Sequence, residues 1–383
     1  MSVPFWVFMS SAMFAGAGVY LWWRLIARTT TRFSTPWWIG TVLAALVVLS
    51  APVALFGQFA MPMGFQRVVG WPAWLGYSFI IFTGCLALVA ELVRLGRWLV
   101  DRRRAAARGE KVTRRVLFER VLAGAIVAGG AVLTGVSLAG ALGTPRVLRR
   151  SIAIRNLPAE AAGMRIVLIS DLHVGSLTRH DDTRRIVDIV NAQNPDIVCL
   201  AGDFSDGDAA TLAADLAPLA DLRPTVGTFF VTGNHEFYFD VASWMQWFPT
   251  IGVRVLANES VQVRGVLLAG THDIQGESQG LGPDVPAALA GRAAGQPAIL
   301  LSHNPVVLDD AIAQDVDLLL AGHTHGGQFY PGVWIVGATT RTLSGYYAFG
   351  DTQVFVTNGC RFWGPPARIG APMDITVLEL TPA

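Results

Sequence analysis

The chain has 383 residues, 52% of them hydrophobic, and a positive mean hydropathy of +0.45, which excludes a single ordinary soluble domain. Its net charge of +1 hides a division: residues 1–150 hold 17 Lys+Arg and 4 Asp+Glu (net +13), and residues 151–383 hold 12 and 24 (net −12). The acidic C-terminal part argues against nucleic acid as a partner, because gripping a phosphate backbone needs a basic surface.

Four apolar stretches, at about 5–26, 37–56, 71–93 and 121–142, are long enough to cross a bilayer, which takes about 20 residues per helix. Together they predict a transmembrane domain over residues 1–146. Trp22-Trp23, Trp37-Trp38, Trp71 and Trp74 sit near the ends of these stretches, where interfacial anchors belong. Ala131, Gly135 and Ala139 recur every four residues in the last one. That spacing suits either close helix packing or simply a mildly hydrophobic span. The spans carry almost no ionisable residues apart from Glu91 near an end, which argues against a polar transport pathway.

The loops suggest an orientation. Arg24, Arg28 and Arg32 flank or lie in the first loop, Arg67 stands alone in the second, and the third is dense with Arg94, Arg97, Arg102, Arg103, Arg104, Arg108, Lys111, Arg114, Arg115 and Arg120. Positive loops stay cytoplasmic, so both termini and the C-terminal domain are expected outside. Arg114-Arg115 ahead of a mild apolar segment is similar to a twin-arginine export signal, but it is internal, and the positive-inside flank is the preferred reading. Arg146, Arg149 and Arg150 fall on the outer side, where they would meet anionic lipid head groups. Cys85, Cys199 and Cys360 form no disulfide framework.

From residue 147 onward the pattern changes to short apolar runs between polar helical segments. Strands are expected at 165–170, 196–201 and 227–232, with helices at 182–193 and 209–221 between them. That alternation implies a mostly parallel sheet. Further strands are expected at 262–269, 298–302, 317–321, 353–357 and 374–380, with more antiparallel pairing among the last ones. The result is two packed sheets flanked by helices.

Five short blocks each follow one of these strands: Asp171-Leu172-His173, Gly202-Asp203-Phe204-Ser205-Asp206, Gly233-Asn234-His235-Glu236, Ser302-His303-Asn304 and Gly322-His323-Thr324-His325. They hold five of the seven histidines. Ligand sites in open α/β sheets form beyond the carboxyl ends of strands, so the blocks should meet at one rim. Nitrogen and oxygen donors without Cys suit Mn, Fe, Zn or Mg.

In this order and strand context, the blocks resemble the calcineurin-like metallophosphoesterase superfamily. Ser170-Asp171-Leu172-His173-Val174-Gly175, Gly322-His323-Thr324-His325-Gly326-Gly327-Gln328 and the tail Trp363-Gly364-Pro365-Pro366 with Arg368 to Pro372 resemble its YkuE/YaeI-like branch. The resemblance covers about residues 150–380 and implies a metallophosphoesterase domain over 147–383. It further implies two divalent ions. Asp171, His173 and His325 would hold one, Asn234, His303 and His323 the other, and Asp203 would bridge them. A hydroxide shared by the ions would attack phosphorus. His235 would donate a proton to the leaving oxygen and Asp206 would orient it.

Other residues near the blocks read differently. Glu236 is expected to be a structural hydrogen-bonder and His180 a solvated loop residue. His272 is a lesser candidate for substrate contact. Phe237, Tyr238 and Phe239 are expected to pack, whereas Arg361 and Trp363 either line the cleft or lie on the surface. The functional expectation is a membrane-anchored phosphohydrolase cleaving a phosphodiester or pyrophosphate bond of an envelope or lipid-linked substrate. One similar branch includes a pyrophosphatase of acylated UDP-glucosamine in lipid A synthesis, which would require a cytoplasmic domain. A non-catalytic sensor or scaffold would lack ligands, and none is missing.

Overall fold

The computed structural model describes residues 3–108 and 115–383. Lys111 and Arg114, the first half of the arginine pair, lie outside the described residues. The chain divides into two compact units, Met1–Ala139 with Gly364–Ala367, and Gly140–Trp363 with Arg368–Ala383.

The first unit is built on α1 (Phe5–Trp22), which runs into a π-helical turn over Trp23–Ala27, then α2 (Thr35–Ala60), α3 (Met63–Arg108) and α4 (Arg115–Leu142). All four are long and apolar enough to cross a membrane. The Ser34 hydroxyl caps α2 by accepting from the Trp37 backbone N–H at 3.4 Å. Helix α3 extends well beyond the apolar stretch at 71–93. Its Leu-, Arg- and Ala-rich continuation favours helix without needing burial.

The unit is less free of charge than its sequence suggested. Arg24 is buried, and its guanidinium lies 2.6 Å from Glu91 and 3.7 Å from Glu119. Arg94 bridges the same two carboxylates at 2.6 and 2.7 Å. The two arginines neutralise the two glutamates, so this cluster ties the π-helical turn to α3 and α4 without leaving a net charge.

The second unit contains two six-stranded sheets. Its strands are β1 (Arg146–Ile154), β2 (Arg165–Ile169), β3 (Ile197–Ala201), β4 (Gly227–Val231), β5 (Val253–Val255), β6 (Glu259–Val263), β7 (Val266–Gly270), β8 (Ala298–Leu301), β9 (Leu318–Ala321), β10 (Gly345–Phe349), β11 (Thr352–Val356) and β12 (Asp374–Pro382). The orders are β1-β12-β2-β3-β4-β5 and β10-β11-β9-β8-β7-β6. Strands β2 to β5 are parallel, as are β7, β8, β9 and β11. The second sheet is therefore mainly parallel, not antiparallel; only its edge strands β6 and β10 run against their neighbours. Antiparallel pairing falls on the last strands, β10 with β11 and β12 with β2, whereas β8 and β9 are parallel.

Strands β2, β3, β8 and β9 are apolar runs because both faces are covered. Ile166, Leu168, Cys199 and Val231 of one sheet share a core with Leu268, Leu301 and Leu320 of the other. Helices α5 (His180–Asn191) and α6 (Ala209–Leu216) cross between the first strands. Helix α5 buries Ile186, Val187 and Val190, while Ile189 is half-buried. His180 begins this helix and is exposed beside Asp181, so it is solvated but not in a loop. Arg149 and Arg150 are built into β1, where they meet Gln193 and the Tyr346 ring. The three cysteines are free.

Candidate metal centre

The five blocks converge beyond the carboxyl ends of β2, β3, β4, β8 and β9. Backbone bonds join the loops across strands: Asp171 N–H donates to Gly202 O at 3.1 Å, His173 N–H to Asp203 O at 3.1 Å, and Gly322 N–H to His303 O at 2.9 Å. The turns are sharp. Asp171, His173, Asp203, His323 and His325 all have positive φ, between 48° and 69°. Such conformations are strained for residues with a Cβ and cluster where function over-determines the backbone. Gly233 and Gly322 permit the close approach, since a Cβ on Gly233 would strike Asp203 and one on Gly322 would lie 2.6 Å from Asp171 Oδ2.

Three groups place ligand atoms within 4.8 Å of one another: Asp171 with His173 and His325; His173 with Asp203 and His235; and Asp203 with His303 and His323. In the first, Asp171 Oδ1 lies 3.2 Å from His325 Nε2 and 3.8 Å from His173 Nε2. The two ring nitrogens face each other at 3.2 Å. In the last, His303 Nε2 lies 3.2 Å from Asp203 Oδ2, from Asn234 Oδ1 and from His323 Nδ1. Asp203 Oδ2 also stands 3.7 Å from His173 Nε2, so it lies between a histidine of the first group and those of the last.

The donor set fits a pair of cations. Ser170 Oγ and His323 N–H occupy Asp171 Oδ2 at 2.5 and 3.2 Å, whereas the buried Oδ1 has no hydrogen-bond partner. His303 Nδ1 meets Ala201 O at 2.7 Å; donation there leaves Nε2 with its lone pair toward the cluster. Converging lone pairs and carboxylate oxygens are what a divalent ion requires. At His325, Arg368 Nη2 approaches Nδ1 at 2.9 Å and donates to it, so a neutral ring keeps its proton on Nε2 and must lose it to ligate there.

Electrostatics show how tightly these side chains pair with one another. Burial would raise Asp171 and Asp203, but the histidines around them hold both carboxyls well below their ordinary range. Burial would lower His173, yet Asp206 and the other carboxylates raise it to about 10. Burial lowers His323 and His325 to about 4. Burial would likewise raise Asp206, but His173 and His235 bring it to about 2.

Asp206 Oδ1 hydrogen-bonds with His173 Nδ1 at 2.9 Å and lies 2.7 Å from His235 Nδ1, out of hydrogen-bond alignment with it. His235 Nε2 then lies 3.9 Å from Asp203 Oδ2. The His235 ring packs edge-on against Tyr238 and Trp363, with centroids 5.3 Å away in each case. Trp363 and Tyr238 therefore border the site, whereas Phe237 and Phe239 are buried. Glu236 collects the backbone N–H groups of Asp203, Phe204 and Gly233 at 3.0, 2.8 and 2.7 Å, a structural role as expected. His272 is buried and its Nδ1 meets Thr232 Oγ1 at 3.0 Å. Arg361 neither lines the cleft nor lies on the surface: it is buried and pairs with Asp182 at 3.0 Å. Ser170 and Arg368 were absent from the sequence-derived site. Neither carries a ligand signature, and only their contacts with Asp171 and His325 reveal them.

A family model described as calcineurin-like phosphoesterase matches residues 164–327. A Danio rerio protein named "Transmembrane protein with metallophosphoesterase domain" is 31% identical over 399 residues, covering 100% of this chain and 90% of its own. An "Uncharacterized metallophosphoesterase" of Helicobacter pylori is 36% identical, over 63% of this chain and 65% of its own. "Phosphodiesterase YaeI" of Escherichia coli is 28% identical, over 57% of this chain and 83% of its own.

Proposed function

The chain belongs to the calcineurin-like phosphoesterases, as a membrane protein and a metal-dependent enzyme with residues for two metal ions, and from that premise we propose that it cleaves a phosphodiester or pyrophosphate bond at the extracytoplasmic face. The observation that supports the site assignment is the position of Asp203 Oδ2, 3.7 Å from His173 Nε2 and 3.2 Å from His303 Nε2. In this reading Asp171, His173 and His325 hold one ion, Asn234, His303 and His323 hold the other, and Asp203 lies between them. Two bound ions supply Lewis acidity and charge neutralisation for in-line attack of water at phosphorus.

The chain's own residues set the rest. Asp171 and Asp203 are the only anionic ligands in the set, because Asn234 contributes a neutral carbonyl. The loaded site thus keeps an excess of positive charge that favours a phosphate anion. Asp206, 2.7 Å from Nδ1 of His235, would orient the ring so that Nε2 hands a proton to the leaving oxygen. Tyr238 and Trp363 hold the ring in that orientation.

The diester or pyrophosphate preference draws on the phosphodiesterase relative, and the membrane helices favour an envelope or lipid-linked substrate. The extracytoplasmic placement draws on the arginine-rich first and third loops. The test uses the full-length protein in detergent with added Mn, Zn, Mg or Fe, offered a soluble diester, a monoester and a lipid pyrophosphate. Preference for the monoester would reject the bond assignment. An alkaline phosphatase fusion after Leu142 that is inactive would reject the orientation and favour the cytoplasmic, acylated UDP-glucosamine alternative.

A further inference from the structure

One helix of the catalytic unit buries none of its side chains. Gly332–Thr339 is followed along its whole length by half-buried or exposed residues, with Trp334 68% and Ile335 62% exposed. Residues 326–340 contain no Asp, Glu, Lys, Arg or His. A helix on a soluble surface ordinarily buries an apolar face and shows water a charged one. A contiguous exposed apolar element marks a surface that meets something apolar.

This helix is fastened to the metal site. It follows His325 by a few residues, and Val333 N–H donates to Phe329 O at 3.2 Å. Gln328 exchanges two hydrogen bonds with the Trp363 backbone, at 2.9 and 3.0 Å. Trp363 in turn packs on His235. At the near end of the helix the Tyr330 and Trp334 rings pair with centroids 4.7 Å apart. Tyrosine and tryptophan are the residues favoured at a lipid–water boundary.

We infer that the segment Tyr330 to Thr339 seats in the lipid surface beside the metal site, so that the substrate class is a phosphate ester carried on a lipid headgroup. The occupant is lipid for two reasons. The chain is a membrane protein with four helices long and apolar enough to cross a bilayer. The segment also offers no ion-pairing groups to specify a protein partner, while its apolar and aromatic side chains suit a bilayer interface. The substrate part of this inference rests on the phosphoesterase reading above; the lipid contact does not.

The experiment uses the full chain with Cys85→Ser as background, in nanodiscs of phosphatidylcholine and phosphatidylglycerol. A nitroxide is placed at Ile335→Cys and, as control, at Asp181→Cys, whose side chain is fully exposed. The label at 335 should be relaxed more by oxygen than by a water-soluble nickel chelate, and the label at 181 the reverse. Equal access of the nickel chelate to both sites overturns the inference. So does shielding of 335 from both reagents, which would mean a protein surface covers it.

A second arm compares W334S/I335S with the unaltered chain. Turnover of a phosphodiester in vesicles should fall about tenfold or more, from the lost apolar contact. Turnover of a soluble diester should stay within about twofold, a change too small to mark a lost apolar anchor. Equal losses on both substrates would overturn the substrate assignment. Failure of the unaltered chain to cleave any soluble diester with added metal would instead reject the phosphoesterase reading, while the spin-label result would stand.

Discussion

Oδ1 of Asp206 lies 2.7 Å from Nδ1 of His235, and the same oxygen lies 2.9 Å from Nδ1 of His173. One carboxylate thus lies against both the candidate proton donor and a candidate metal ligand. His235→Ala should keep both ions and lose about 10²- to 10⁴-fold in turnover. Asp206→Asn should lose about 10- to 100-fold and weaken metal retention, because His173 loses its support. Metal analysis beside turnover separates the two. If His235→Ala sheds an ion, His235 is a ligand, a role its place in the second cluster also permits.

Gly322 packs on Asp171 with no room for a side chain. Gly322→Ala should push Asp171 away from His325, at a cost of about 1–3 kcal/mol from overpacking. Thermal unfolding should show the loss, and added metal should restore less of it than in the unaltered chain. Unchanged stability and metal content would mean that the Asp171 loop yields easily.

Much of the site was legible because strand-end position and residue type travel together in sequence. Asp171, Asp203, Asn234, His303 and His323 each follow an apolar run, so the rim could be drawn from the order of the runs. The left-handed backbone at Asp171, His173 and His325 was not legible, since nothing in the residue types calls for it. Strand β1 was missed because its first six residues are exposed and it carries three arginines; only pairing with β12 at the far end of the chain makes it a strand. A fragment beginning at residue 151 would cut it in half. The hairpin β6–β7 read as one strand because its turn is only Arg264-Gly265. Arg24 read as a loop arginine because its partners Glu91 and Glu119 are distant in sequence.

Asp196 lies away from the metal centre and accepts from Arg165 N–H, Thr225 Oγ1 and Arg264 Nη2 at 2.9, 2.7 and 2.9 Å. Burial would raise its carboxyl, but these donors hold it below the ordinary value. The unfolded chain therefore binds a proton at higher pH than the folded one, and stability gained from this group is complete above about pH 4. It is lost as pH falls through the folded value. Asp196→Asn should cost about 1 kcal/mol at neutral pH, discounted for partial exposure, and nothing in strong acid. Denaturant titrations across that range check it; a difference that grows on acidification would contradict the sign.

His173 is held up to about 10 in the metal-free cluster and so carries a proton at pH 7. An ion that ligates its ring must displace that proton. Calorimetry in buffers of different ionisation enthalpy should show proton release on metal uptake, and the apparent affinity should fall as pH is lowered. Uptake without proton release would exclude His173 from the ligand set.

The measurement closest to the central claim is metal content and diester turnover of the full chain, side by side with Asp203→Asn. Two ions per chain, activity abolished by a chelator and restored by metal, and a collapse of both occupancy and turnover in Asp203→Asn are the expected results. Full turnover of Asp203→Asn with two ions bound would contradict the bridging role, and full turnover of the metal-free chain would contradict the site itself.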